Sequence, residues 1–101
     1  MVEDGLKLFL EGEHQKVVAL LSPDAIETSV PLAAHAYLLR AGSLYTLFVR
    51  SGEKDQSLLE SARREVERAK AADPALRPDQ RVFGQRFINF FQNPVAAQPA
   101  R

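Results

Sequence analysis

Cysteine is absent from the 101 residues, and histidine occurs only twice. Without cysteine there are no disulfide frameworks, thiolate metal sites or cysteine nucleophiles. Two histidines leave little material for a zinc centre. A charge excess is missing too: thirteen Lys and Arg balance thirteen Asp and Glu. Neutrality argues against a dedicated nucleic-acid binder, which carries a basic excess, and against an acidic tail. No apolar run approaches the roughly 18 residues of a membrane span. Met1-Val2-Glu3-Asp4-Gly5 is acidic and lacks the basic start and apolar stretch of a signal peptide. The absent cysteine fits a reducing cytosol and equally permits the periplasm, so the compartment stays open, with the cytoplasm slightly favoured. No Gly-rich loop precedes a helix, and no HExxH, GxSxG or Walker pattern exists. No enzyme, metal or cofactor is therefore expected.

Strand signals are nearly absent as well, whereas helical spacing recurs. A first helix is expected over about residues 3–11, with Leu6, Phe9 and Leu10 on one face and Gly12 ending it. A second covers about 14–21, with Val17, Val18, Leu20 and Leu21 apolar. Ser22-Pro23-Asp24 breaks it, Pro23 opening one further turn, and 27–30 reads as a linker. The third runs from Pro31 to about Arg50 and is apolar nearly all round, the mark of a central helix. Gly52 stops it, and Asp55 caps a fourth over about 56–72 with the stripe Leu58, Leu59, Ala62, Val66, Ala69. Asp73-Pro74 ends that one. Asp79 caps a fifth over about 80–92, carrying Phe83, Phe87, Phe90 and Phe91. Residues 1–92 thus form one all-α domain, and 93–101 read as a flexible tail.

Gly12-Glu13 and Gly52-Glu53 each sit between two apolar helices, forty residues apart. Ala41, Leu44, Tyr45 and Phe48 lie where a first repeat helix packs on its partner. Gly52 lies at the turn, and Ala62, Val66 and Ala69 form a small–large–small stripe. Pro74 follows Ala62 by twelve residues. On these residues the second unit resembles a tetratricopeptide repeat, a helix–turn–helix module of about thirty-four residues. The first unit matches more thinly, at Gly12, Val17 and Leu21. Ser51-Gly52-Glu53-Lys54-Asp55 together with Arg86-Phe87-Ile88-Asn89-Phe90-Phe91 also resembles bacterial proteins that carry a small helical repeat domain. The resemblance implies antiparallel helix hairpins stacked as a short array of about two units, closed by the fifth helix as a cap. The turn after Gly52 is about five residues longer than the repeat family's norm and offers a contact surface of its own.

The resemblance also implies a non-enzymatic interaction or scaffold module that docks a protein or peptide. In such arrays the ligand lies along the first helices, which transfers here to Leu39, Gly42, Thr46, Val49 and Arg50. The family's carboxylate clamp uses Lys and Asn where this chain has Gly42 and Thr46, so that clamp is not expected. Leu39, Thr46, Val49 and Arg50 then form the candidate groove, for an apolar segment with an acidic neighbour. The alternative is a structural protomer that self-associates through exposed repeat ends or through Phe83, Phe87, Phe90 and Phe91. His14 reads as a solvent-facing or turn-packing residue, His35 as facing core or groove, and Ser43 as bonding its own helix or easing helix approach. Arg63, Arg64, Arg68, Lys70, Arg77, Arg81 and Arg86 make the second half locally basic, but interleaved acids read as salt-bridged surface.

Overall fold

The computed structural model describes residues 2–22 and 33–94. Among them are five helices and no strand: α1 (Val2–Leu10), α2 (His14–Leu20), α3 (Ala33–Arg50), α4 (Gln56–Ala72) and α5 (Gln85–Gln92). The expectations for Pro23, for the linker at 27–30, for the start of α3 at Pro31 and for the tail beyond 94 lie outside the described residues.

The duplicated Gly-Glu pair forms the same turn twice. Gly12 and Gly52 have φ of 81° and 78°, the left-handed region that a side chain disfavours. In the first turn Gly12 N–H donates to Phe9 O and Glu13 N–H to Leu8 O. In the second, Gly52 N–H donates to Val49 O and Glu53 N–H to Phe48 O. Both are Schellman caps, which satisfy the last carbonyls of a helix while reversing the chain. The two connections differ in length. Three residues separate α1 from α2, and five separate α3 from α4. The additional Lys54 and Asp55 are tied down, because both backbone N–H groups donate to Ser51 Oγ. Asp55 caps α4 by accepting from Ser57 N–H at 3.1 Å. Gln56, Ser57 and Leu58 are already helical, so the longer turn is short and braced.

Helix α3 touches each of the other four helices, as its apolar circumference requires. Its closest partner is α4. Ala62 and Ala69, small and fully buried, bring the two backbones together, and Val66, Leu59, Leu44 and Phe48 fill the space between. The α1–α2 hairpin packs on α3 from another side through Val17 and Leu21. Tyr45 on α3 stacks on Phe90 of α5, with ring centroids 4.6 Å apart. Fully burying an aromatic ring of this kind contributes roughly 1.5–3 kcal/mol.

An ion network joins three elements. The Arg40 guanidinium on α3 donates to buried Glu65 on α4 at 2.9 Å and to Val18 O at 2.6 Å near the end of α2. Arg68 meets the same carboxylate at 3.0 Å. Two cations thus satisfy a carboxylate that would be costly to bury alone, and one of them also holds the end of α2.

One boundary needs correction. The fifth helix starts at Gln85, five residues later than expected. Asp79 caps a separate turn instead: its carbonyl accepts from Val82 N–H and Phe83 N–H, and its carboxylate from Arg81 N–H. Gly84 is extended, with φ −68° and ψ 157°, and interrupts the helical path before α5 begins. That break frees Phe83 from the helical stripe and turns it towards Gly42 of α3.

Candidate functional site

Position 42 on α3 has no side chain, and two aromatic rings use the space. A Cβ there would lie 2.8 Å from Phe83 Cε1 and 3.0 Å from Phe9 Cε1. The two rings meet with centroids 4.9 Å apart, so α1 and the 73–84 loop close over the middle of α3. This closure divides the face of α3 into separate hollows.

One lies towards the start of α3 and has a volume of about 270 Å³. Leu38 and Leu39 line it from α3, Val82 and Phe83 from the loop, and Leu6 from α1. Leu6 is more than a third exposed, unusual for a leucine of a small core. His35, Arg77 and Asp79 complete the lining. The Asp79 carboxylate is engaged: Arg81 Nε and Nη2 donate to its two oxygens at 3.2 and 3.1 Å. Those bonds hold its carboxyl below the usual carboxylate range. Arg77 instead donates to the carbonyls of Leu76 at 2.8 Å and Pro74 at 3.5 Å, and forms no ion pair among the described residues. Its charge is therefore available at the edge of an apolar hollow.

A second hollow, about 570 Å³, lies between the two Schellman turns. Leu47 and Leu58 are the apolar side chains of its lining; Glu13, Asp55, Arg50 and His14 bring both signs of charge. His14 itself is buried, packs edge-on against Phe9, and has Nδ1 3.1 Å from Ser43 Oγ. Burial first, and the Arg50 charge second, hold its imidazole below the ordinary value of 6.5. Ser43 is fully buried behind the ring and does not line the hollow. The pair resembles a base and nucleophile only in composition, since no substrate atom can reach the hydroxyl. His14 is thus a packed turn residue and not a solvent-facing one.

The residues expected to form one groove are distributed over three hollows. Leu39 lines the apolar hollow, and Arg50 lines the polar one, donating to Gly12 O at 3.3 Å. Thr46 and Val49 line a third, beside Gly84 and Arg86, where Thr46 Oγ1 donates back to Gly42 O at 2.8 Å. Phe83, Phe87, Phe90 and Phe91 are all buried within the chain, Phe90 and Phe91 almost completely. His35, one turn before Leu39 on α3, also lines the apolar hollow, whereas Leu6, Arg77 and Val82 are grouped with it by no spacing in the sequence. Among the described residues no three His, Asp or Glu side chains converge as metal ligands, and no helix is long and apolar enough to cross a membrane. No protein-family model, no curated protein and no solved structure matches this chain.

Proposed function

We propose that the protein is a non-enzymatic docking module, built in the manner of a short tetratricopeptide-like array, that holds an apolar segment of a partner protein. The observation that carries this reading is the hollow walled by Leu6, Leu38, Leu39, Val82 and Phe83. Its 270 Å³ lies below the roughly 300–1,000 Å³ of small-molecule sites and suits one or two side chains of a peptide. Leu39, one of the positions to which the resemblance transfers peptide contact, lines it. The larger hollow has the volume for a small ligand, but its lining sets Leu47 and Leu58 among Glu13, His14, Arg50 and Asp55 rather than forming a mostly apolar wall.

A selection from a random twelve-residue peptide display library tests this. Peptides with one or two large apolar residues are expected to enrich on the native protein. The Leu6→Glu variant, altered at an exposed position of the wall, is expected not to retain them. Failure to enrich any peptide, or enrichment unaffected by Leu6→Glu, rejects the reading.

Self-association is the second reading, and one observation favours it. Leu10 is 61% exposed, with Leu20 also exposed on the neighbouring helix. Because the four phenylalanines are turned inward, an interface would use these leucines rather than the aromatic stripe. Light scattering across a concentration series separates the two readings, since docking needs only a monomer.

A further inference from the structure

Arg77 lines two hollows at once. Besides the apolar one, it borders a hollow of about 400 Å³ with Lys70, Pro74, Phe91 and Gln92. Lys70 lies with its Nζ 4.8 Å from the centroid of the Phe91 ring, a cation–π contact that holds the ammonium in place. Neither Lys70 nor Arg77 forms an ion pair with a carboxylate among the described residues. The acids nearest in sequence are not in an ion pair with them. Asp73 accepts from Ala75 N–H, and neither it nor Glu67 lines either hollow. Asp79 is bound by Arg81. The strip leading out of the apolar hollow thus carries two cations that form no ion pair among the described residues, on a chain whose net charge is zero.

We infer that the docked segment is an acidic peptide: an apolar anchor in the Leu39 hollow, then carboxylates that pair with Arg77 and Lys70 in turn. The inference rests on the docking reading above and adds the partner's charge. The Arg77 guanidinium is held on one side by the 2.8 Å bond from Nη1 to Leu76 O, which reduces the side-chain freedom lost when a carboxylate arrives. Lys70 is half-buried beside the Phe91 ring, so a pair formed there is screened less than one on an open surface.

The same peptide selection, with fluorescence anisotropy of the most enriched peptide, tests this. Asp or Glu is expected within a few positions of the apolar anchor in the enriched peptides. The double variant Lys70→Gln, Arg77→Gln is expected to weaken the labelled peptide about tenfold at low salt, and replacement of its acids by amides to weaken it similarly. The two losses are not additive if the charges meet, and raising the salt shrinks both. Enrichment of apolar peptides with no acidic bias, or affinity unchanged in the double variant, overturns the inference while leaving the docking reading intact. Enrichment of nothing overturns both. Binding of a labelled single-stranded oligonucleotide more tightly than any selected peptide, abolished by the same two substitutions, assigns the strip to nucleic acid and also overturns it.

Discussion

The two hairpins end their first helices with the same cap and then diverge. In α3–α4 the cap delivers the chain into a seventeen-residue helix that starts on Asp55 and buries Leu59, Ala62, Val66 and Ala69. In α1–α2 it delivers the chain into a helix of seven residues with no side-chain cap. Leu6, Leu10 and Leu20 remain exposed there. A shared turn therefore does not make equivalent units. The second hairpin supplies most of the core, and the first acts as a wall whose apolar residues face partly outward. One of these leucines, Leu6, lines the hollow proposed to dock a partner.

The substitution expected to break this comparison most sharply is Phe48→Ala, in the buried face of α3. It should cost about 3–5 kcal/mol by urea unfolding, whereas Leu10→Ala on α1 stays within about 0.5 kcal/mol. Comparable losses at the two sites contradict the asymmetry. Arg40→Met, next in size, removes the clamp between the hairpins. It leaves Glu65 with Arg68 alone and the Val18 carbonyl without its donor, so the cost falls towards the lower end of a broken buried pair, about 3 kcal/mol. Hydrogen exchange is expected to speed up in α2 more than in α4 in that variant. Gly12→Ala and Gly52→Ala sharpen the shared feature. An added Cβ meets nothing closer than 3.7 Å at the first and 3.9 Å at the second. The penalty is then backbone strain alone, about 1–2 kcal/mol and similar at both.

The smallest effect is pH-dependent and belongs to the first hairpin. His14 has a folded pKa below 6.5, so the unfolded chain takes up its proton first as the pH falls. The contribution from the neutral, buried ring is complete above pH 6.5 and is lost as the pH drops from there through the folded value. Urea midpoints of the native protein and His14→Gln, compared at about pH 7.5 and about pH 5.5, are expected to show a shallower fall in the variant. Equal falls indicate that the ring titrates as freely in the fold as in the unfolded chain.

Much of the architecture was legible because its signals are local. Gly12, Gly52, Asp55 and the Asp73-Pro74 break each act within a few residues, and the corresponding helix ends lie within one residue of expectation. The start of α5 was less legible for the same reason: Asp79 carries a capping signature that a turn can use equally well, and extended Gly84 decides between them. Of the residues expected to form the groove, only Leu39 lines the apolar hollow. His35, one turn before Leu39 on the same helix, reads as facing core or groove, but the walls at positions 6, 77 and 82 are connected by no periodicity. The resemblance that assigned Leu39, Thr46, Val49 and Arg50 to one groove could not reveal that Phe9 and Phe83 would meet over Gly42 and partition it. That closure depends on long-range packing between two aromatic residues more than seventy positions apart.

The most direct measurement is a titration of the isotopically labelled protein with the selected peptide, monitored by amide and methyl NMR. Shifts concentrated at Leu6, His35, Leu39, Arg77 and Val82, continuing to Lys70, are the predicted result. Shifts concentrated at Gly12, His14, Arg50 and Asp55, with the Leu39 hollow unmoved, contradict the account and move the docking site to the polar hollow between the turns.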